Sequence, residues 1–412
     1  MNYLKFRFNY FLAIAGLLLI AAQSNGQTKP PVYFIYAGST HAHTFLTQSH
    51  GAQWEEIKGF KSYMSVDANH VSHAANTVMK PDSDKYQGPP SAHFAIAKAN
   101  KYDFYITTDH SQEASFHPTS PTNPNWIATH KAAQAATDKN FIAIVGYEHS
   151  ENDGPGGKGH LNVINSASYI NALEPGIDIQ YLYKWLDTVK AYGGKGPIVA
   201  SFNHPAADAY DNWKHRDSKV TDIITMLEVI NSNTNIHYDA FIKALDAGWK
   251  VSPVSGNDNH GTMGIATQKS RTFVLATGKT QLEILDAMKN RRTYASLDNN
   301  IQCRYTVNGE IMGSTLKSPT EFKFDINISD PDTNNPNDKI TRIDIIKDNG
   351  EVVQTYNVPL PGYSVKWNPT ITDATNKYFF VRIWNAGGGD APAAKLTPDK
   401  PMTWLAPVWT GR

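Results

Sequence analysis

Short apolar runs alternate with amphipathic stretches between residue 32 and about residue 300. Most of the runs are continuous, a pattern typical of parallel strands that are buried on both faces of a sheet. Amphipathic stretches of helical period lie at residues 180–191, 238–247 and 281–290. This alternation of strand and helix predicts an α/β fold, built as a βα-type barrel or sheet. The apolar runs are residues 32–36, 104–107, 141–145, 161–164, 198–202, 226–230, 251–254 and 272–276.

The pattern changes at about residue 301, where apolar and polar positions alternate and no long helical pattern intervenes. Asp348-Asn349-Gly350 is a hairpin signal between two of the strands that this alternation predicts. The sequence therefore predicts an α/β domain at residues 27–300 and a small antiparallel β-sandwich at residues 301–412. The alternating runs are residues 304–307, 321–328, 340–346, 352–357, 363–367, 378–384 and 403–409.

The first 26 residues have the organisation of a secretory signal peptide. Lys5 and Arg7 precede an apolar stretch at residues 11–22, and a polar segment at residues 23–27 follows it. The apolar stretch is shorter than the ~20 residues that a membrane-spanning helix needs. We therefore expect a secreted or periplasmic protein with no stable membrane insertion after cleavage, the alternative being an uncleaved N-terminal anchor.

Composition narrows the class of protein further. Lys plus Arg and Asp plus Glu both number 38, so no basic surface indicates a nucleic-acid partner. Cys303 is the one cysteine in the sequence, which excludes an internal disulfide framework. A hydrophobic content of 41% and an aromatic content of 11% can supply an ordinary core.

Histidine and carboxylate residues stand where the apolar runs of the first domain end. In a parallel barrel, ligand groups collect at the carboxyl ends of the strands. Imidazole and carboxylate bind divalent ions such as Zn, Mn or Fe. We interpret these positions as a metal centre, the alternative being a set of histidines hydrogen-bonded to the backbone. The candidate metal ligands are His41, His43, His50, His110, Glu148, His160, His204, Asp258 and His260.

Two of these motifs place paired donors on one side of an extended segment. His41-Ala42-His43 and Asp258-Asn259-His260 each have donors two residues apart. Side chains with that spacing in an extended chain point the same way, so both members of a pair can reach one ion. Asp109, beside His110, is expected to orient an imidazole rather than to bind an ion.

In their order along the chain, the motifs resemble those of the PHP superfamily, named for polymerase and histidinol phosphatase. The resemblance covers residues 33–300. It implies a distorted (β/α)7-type barrel that holds two or three divalent metal ions. With a secretory signal and a C-terminal β-domain, the chain is most similar to the carbaryl-hydrolase-like branch of the superfamily. The matching segments are His41-Ala42-His43, Thr108-Asp109-His110, Gly146-Tyr147-Glu148, His204-Pro205 and Asp258-Asn259-His260.

The resemblance also implies which residues share an ion, and it makes Glu148, Asp258 and His260 the candidate catalytic residues. The family commonly has an Asp-Leu pair before the first histidine, where this chain has Ser39-Thr40. This difference changes the surroundings of the first ion. The implied sets are His41, His43 and Asp258 for the first ion, Glu148 as a bridge to a second ion held by His160 and His204, and His50, His110 and His260 for a third.

A centre of this kind would act through a metal-bound hydroxide that attacks an electrophile. Phosphoesters suit it best, because the attacking and leaving oxygens both need charge neutralisation. The leading interpretation is a secreted phosphoesterase acting on a small-molecule or glycan-linked ester. Two alternatives remain: a carbamate, ester or amide hydrolase on the same scaffold, and a catalytically idle metal- or glycan-binding protein. The second draws on Trp367, Trp384, Trp404 and Trp409, which could form a sugar-stacking face.

Overall fold

The computed structural model describes residues 31–47, 64–66, 72–74, 88–150, 159–172, 174–233, 235–388 and 400–412. Residue contacts divide the chain into two units, Met1–Val32 and Tyr33–Arg412, and every element given below belongs to the second unit. The predicted signal peptide and His50 lie outside the described residues. No helix in the described ranges is long and apolar enough to cross a membrane.

The elements follow the predicted alternation of strand and helix up to residue 300 and are mainly strands after it. The strands are β1 Phe34–Ser39, β2 Met64–Val66, β3 Ser72–Ala74, β4 Phe104–His110, β5 Ile142–Ser150, β6 His160–Ile164, β7 Val199–Asn203, β8 Ile224–Asn231, β9 Asn235–Ile236, β10 Ser252–Gly256, β11 Arg271–Ala276, β12 Thr293–Ser296, β13 Gln302–Val307, β14 Glu310–Ile311, β15 Glu321–Ser329, β16 Ile340–Lys347, β17 Val352–Gly362, β18 Ser364–Trp367, β19 Thr370–Thr372, β20 Tyr378–Asn385, β21 Thr403–Leu405 and β22 Val408–Trp409. The helices are α1 Pro90–Ala99, α2 Pro124–Ala136, α3 Ile179–Leu186, α4 Ser218–Thr221, α5 Tyr238–Asp246, α6 Met263–Thr267 and α7 Gln281–Lys289, and Ala209–Trp213 forms a further helical turn.

One large mixed sheet of 15 strands contains the predicted core strands. Thirteen follow the order β10-β8-β7-β6-β5-β4-β1-β11-β12-β21-β20-β16-β17, β9 also pairs with β8, and β22 also pairs with β20. Strands β1, β4 and β5 are parallel neighbours, as are β7, β8 and β10. The runs at residues 161–164 and 272–276 also form strands, but β6 and β11 are antiparallel to their neighbours. The expectation of parallel strands was wrong for these two, because a run buried on both faces is apolar whichever way it points.

The sheet curls so that β10, the first strand in the order, lies against β11 and β12. The Ser255 backbone N–H donates to Thr272 Oγ1 at 2.7 Å, and that hydroxyl donates back to the Ser255 carbonyl at 2.8 Å. Thr293 Oγ1 donates to Ser252 Oγ at 2.7 Å in the same way. Side-chain hydroxyls therefore join strands that make no backbone ladder with one another.

The predicted helices form as α3, α5 and α7; α5 and α7 have nearly the predicted bounds, whereas α3 ends at Leu186, before the predicted end at residue 191. In α7, residues at the start of the helix fix where it begins. The Thr280 hydroxyl accepts the Glu283 backbone N–H at the first turn and donates to the Glu283 carboxylate at 2.7 Å. This side-chain capping satisfies N–H groups that have no partner within the helix.

The named strands of the C-terminal region pair in antiparallel fashion, as predicted. Strands β13, β14, β15, β18 and β19 form a separate five-stranded sheet. The others extend the large sheet, because β21 pairs with β12 in the register Tyr294↔Leu405. Asp348–Gly350 joins β16 to β17, confirming the hairpin signal. The domain boundary near residue 300 stays a prediction.

The tryptophans expected to form a sugar-stacking face lie mostly in the core. Trp384, Trp404 and Trp409 are 4%, 1% and 5% exposed. Trp367 is partly buried and stacks on Tyr356 with a centroid separation of 5.4 Å. Three of the four tryptophans thus stabilise packing and present no ring face to a ligand.

Candidate metal centre

Eight of the nine predicted metal ligands come together at one rim of the curled sheet. Five strands end there and deliver most of them, as expected for parallel strands. His160 arrives differently: it begins the antiparallel strand β6, whose first residue pairs with Ser150 and Asn203 at the same rim. The side chains at the rim are those of His41, His43, His110, Glu148, His160, His204, Asp258 and His260.

The Glu148 carboxylate lies at the middle of the centre and is 1% exposed. Its Oε2 is 2.8 Å from His110 Nε2. Its Oε1 is 3.3 Å from both His160 Nδ1 and His204 Nε2, and it accepts the Asn203 side-chain amide at 2.9 Å. Two oxygens of one side chain therefore face imidazoles on opposite sides, the arrangement that a bridging ligand requires.

Three donor atoms form the most compact group at the rim. Nε2 of His41 is 3.0 Å from Nε2 of His43, and Asp258 Oδ1 is 3.0 Å from His43 Nε2 and 3.5 Å from His41 Nε2. Ligands of a tetrahedral ion with bonds of about 2.0–2.1 Å stand roughly 3.3 Å apart. The spacing and the chemistry of these donors fit a divalent ion.

Two further groups of donors have their ligand atoms within 4.8 Å of one another: His41 with Glu148 and His204, and His43 with His110 and His260. The grouping differs from the implied sets in that His41 and His43 are shared between neighbouring groups. His160 joins the group of His41, Glu148 and His204 through its contact with Glu148.

The charges of the centre are strongly coupled. Burial raises the pKa of Glu148 and of Asp258, but neighbouring imidazoles, His41 foremost, hold both pKa values well below the usual range. Burial lowers the pKa of His41, but nearby carboxylates outweigh it and raise that pKa well above its usual value. Burial and the adjacent imidazoles lower the pKa of His43. These shifts favour the ionised form of both carboxylates.

Two imidazoles of the centre contact a carboxylate through the ring nitrogen that faces away from Glu148. Nδ1 of His41 is 2.8 Å from Oε1 of Glu228, and Nδ1 of His110 is 3.6 Å from Oε1 of Glu113. Carboxylate partners of this kind fix the tautomer and the orientation of metal-binding histidines. Hydrogen bonds to Glu113 and Glu148 oppose the effect of burial and raise the pKa of His110 to about 10.

Asp109 acts on the centre through threonines rather than through a direct bond to an imidazole. Its carboxylate accepts the Thr44 backbone N–H at 2.7 Å, the Thr44 hydroxyl at 2.8 Å and the Thr47 hydroxyl at 2.8 Å. The Thr47 Oγ1 atom is also 3.4 Å from His43 Nδ1. The predicted orienting role is therefore indirect and reaches His43.

Glu228 and Asn231 are parts of the centre that the motifs did not identify. Both lie on β8, and Glu228 is 0% exposed. The Asn231 side-chain amide donates to Glu228 Oε2 at 3.2 Å and to Asp258 Oδ2 at 3.1 Å. One signal for Glu228 was present in the sequence, since it is the charged residue within the apolar run at residues 226–230.

Two of the candidate ligands occupy left-handed backbone conformations. Asp258 has φ 47° and His204 has φ 29°. Such values are uncommon for residues other than glycine, although Asp and His adopt them more readily than most. Backbone strain of this kind persists only where the surroundings hold it, and it occurs often at functional sites.

A left-handed turn supports the side of the centre formed by His160. Tyr210, within Ala209–Trp213, has φ 52° and ψ 49°. Its phenol donates to the His160 carbonyl at 2.5 Å and accepts the Asn203 backbone N–H at 3.1 Å. A Cβ at Gly159 would lie 2.5 Å from the Tyr210 ring, so glycine is needed where the chain passes the ring. The phenol thereby fixes the positions of His160 and Asn203 in the backbone.

A separate group of buried carboxylates lies in the C-terminal region. Asp298, Asp330 and Asp338 have oxygens within 4.8 Å of one another. Asp298 Oδ1 accepts the backbone N–H groups of Asn300 and Ile301, both at 2.9 Å. Such bonds close turns, and they give Asp298 a structural role in the loop that it begins.

No protein-family model and no curated protein matches the sequence. Among solved structures, the chain is similar to a two-domain protein from Bacteroides vulgatus that contains a predicted PHP-like metal-dependent phosphoesterase. The TM-score is 0.44 at 15% identity, over 92% of this chain and 97% of that one.

Two further structures are similar over less of the chain. PsfC from Pseudomonas syringae matches with a TM-score of 0.38 at 12% identity, over 63% of this chain and 90% of that one. The lesion-specific endonuclease EndoQ from Pyrococcus furiosus matches with a TM-score of 0.33 at 15% identity, over 62% of this chain and 56% of that one. Similarities at this level establish no family, and the function is inferred from the geometry of the site.

Proposed function

We propose that this protein is a metal-dependent hydrolase of the PHP type that acts as a phosphoesterase. The observation that supports it is the position of Glu148, whose two oxygens lie between imidazoles from β4, β6 and β7. Buried ionised carboxylates need compensating positive charge. Carboxylates and imidazoles at coordination distances from one another are the ligands of divalent cations, so a shared cluster of cations accounts for the arrangement.

The proposed roles of the residues follow from their positions. His41, His43 and Asp258 would hold one ion, and His160 and His204 another, with Glu148 between them; His110 and His260 extend the cluster. Divalent ions there supply Lewis acidity that acidifies water and neutralises charge on a phosphoryl or carbonyl oxygen. Asn203, by donating to Glu148 Oε1 at 2.9 Å, holds the carboxylate plane in place.

We also propose the identity of the ions, the arrangement of the domains, the location of the protein and the class of substrate. The ions number two or three and are Zn, Mn or Fe. The fold is a distorted (β/α)7-type barrel at residues 27–300 followed by an antiparallel β-domain at residues 301–412. The branch is the carbaryl-hydrolase-like one, the first 26 residues are a signal peptide and the protein is secreted or periplasmic. The substrate is a small-molecule or glycan-linked ester.

A substrate screen tests the activity. Protein stripped with a chelator and reloaded with Mn²⁺, Zn²⁺ or Fe²⁺ is assayed with bis-p-nitrophenyl phosphate, p-nitrophenyl phosphate and 1-naphthyl carbamate. We expect turnover of a phosphate ester that depends on added metal. Cleavage of the carbamate alone would instead identify a carbonyl hydrolase. Metal binding without turnover of any substrate would favour an idle binding protein.

A further inference from the structure

Glu228 contacts ligands of two different metal positions. Its Oε1 is 2.8 Å from Nδ1 of His41. Its Oε2 accepts the backbone N–H of His204 at 2.9 Å and the side-chain amide of Asn231 at 3.2 Å. One buried carboxylate therefore joins the position of His41 to that of His204.

Three nitrogen atoms converge on this carboxylate. The backbone N–H of His204 and the amide of Asn231 donate to Glu228, and Nδ1 of His41 is the third partner, which leaves Nε2 of His41 facing the centre. The amide of Asn231 extends the connection, because its other contact is Asp258 Oδ2 at 3.1 Å. Glu228 thus contacts His41 through Oε1 and the strained backbone of His204 through Oε2, and it reaches Asp258 through Asn231.

The backbone of β10 is shaped to admit this carboxylate. A Cβ at Gly256 would lie 1.9 Å from Oε1 of Glu228 and 2.8 Å from Cβ of His41. No side chain larger than hydrogen leaves room for the pair. The position is therefore built for the contact between Glu228 and His41.

We infer that Glu228 is a positioning residue that couples the two metal positions, so that filling one organises the other. The positions concerned are that of His41, His43 and Asp258 and that of Glu148, His160 and His204. The inference rests on the metal centre of the proposed function. An ion that fixes His41 also fixes Glu228, which then holds His204, and by linkage the second ion favours the first to the same degree.

Titration of Co²⁺ into chelator-stripped protein tests the coupling, with the d–d absorption and elemental analysis as readouts. In the wild type we expect the two positions to fill in one step. In Glu228→Gln, whose amide cannot accept three donors, we expect separate steps, with the tighter one weakened by ~10–100-fold. Glu283→Gln is the matched control, because that carboxylate contacts the Thr280 hydroxyl in the cap of α7 and its loss should leave the joint step intact.

The outcomes separate the inference from the proposed function. A wild type that binds no Co²⁺ overturns the metal centre itself. A Glu228→Gln protein that fills in one step with wild-type affinity overturns the coupling. Circular dichroism of the metal-free variant checks folding. If Glu228→Gln is unfolded, Glu228→Asp, which keeps the charge but withdraws it by one methylene, is titrated with the same two outcomes.

Discussion

The chemistry of the rim depends on which of its two ring nitrogens, Nδ1 or Nε2, each histidine turns towards the centre. His41 and His110 turn Nε2 towards the carboxylates of the centre and Nδ1 towards an outer glutamate. His160 is reversed, since its Nδ1 faces Glu148. The identity of each residue and the direction of its strand together decide which nitrogen is available to an ion.

Glu148→Gln should lower the bound metal to below one ion per chain. The substitution keeps the shape but replaces an oxygen acceptor with an amide donor, which repels an ion between imidazoles. Elemental analysis of the purified protein measures the loss. His215→Ala is the control, because His215 pairs with Asp211 away from the centre and should change nothing. Full metal content in the glutamine variant would contradict the bridging position.

His130 should make the fold sensitive to mild acid. It is 5% exposed and stacks on Tyr192 at 3.5 Å, and burial lowers its pKa to about 3. In the unfolded chain His130 binds a proton near pH 6.5, whereas in the folded protein it stays neutral down to about pH 3. The free energy of unfolding therefore falls as the pH falls from 6.5 towards 3. From pH 7.5 to 5.0 the contribution is about 2 kcal/mol.

Guanidinium unfolding at the two pH values measures this effect. His130→Phe keeps a ring against Tyr192 without a titrating group, so the variant should lose about 2 kcal/mol less than the wild type on acidification. An equal loss in both proteins would show that His130 does not control the acid response.

Most residues of the candidate centre could be predicted from the sequence, but the residues that hold them in place could not. His41, Glu148 and Asp258 were recognisable because ionisable groups at strand ends are unusual and recur in motifs. Glu228 was missed as a site residue because it stands inside an apolar run whose pattern indicates only a strand. Tyr210 was missed because its conformation and its contacts depend on chain segments distant in sequence.

At the scale of elements, strand position was predictable and strand direction was not. Periodicity located the strands of the predicted core and the helices α3, α5 and α7, but it missed the short strands β2, β3, β9, β12, β14 and β19 and the helices α1, α2, α4 and α6. The direction of β6 depends on its pairing with β5 and β7, which no local pattern records. His160 reaches the rim from the first residue of its strand for this reason, whereas His110 does so from the last.

Removing the cap of α2 should destabilise the protein by ~1 kcal/mol. Asn123 accepts the backbone N–H groups of Asn125 and Trp126 at 2.9 and 3.2 Å, and Asn123→Ala leaves both without that partner. The shift of the chemical unfolding midpoint measures the loss. Lys131→Ala, at an exposed position on the same helix, should stay within about 0.5 kcal/mol of the wild type. Equal stability of Asn123→Ala and the wild type would contradict the capping role.

At the scale of the molecule, the C-terminal strands β16, β17, β20, β21 and β22 are continuous with the sheet that carries the candidate metal centre. Strand β12 pairs with β11 on one edge and with β21 on the other. The Tyr378 hydroxyl donates to Asp246 Oδ1 at 2.8 Å, which adds a contact between β20 and α5. The sequence predicted antiparallel strands here but not their attachment, because pairing partners far apart in the chain leave no local pattern.

A chain ending at residue 300 should therefore fail to fold into a soluble protein. It lacks β21, which leaves the inner edge of β12 without its partner and exposes an unpaired strand to other chains. Soluble yield and far-UV circular dichroism compare this chain with the full-length protein. A folded, monomeric truncated protein would contradict the expectation and would support an independent domain at residues 27–300.

The pairing of β12 with β21 also has a consequence for biosynthesis. Strand β12 ends at Ser296 and its partner β21 begins only at Thr403, so β12 leaves the ribosome well before β21. The edge of β12 that pairs with β21 stays unpaired until β21 has been synthesised. Incomplete chains released before β21 is made would expose this unpaired edge to one another. They would aggregate through it and become substrates of protein quality control.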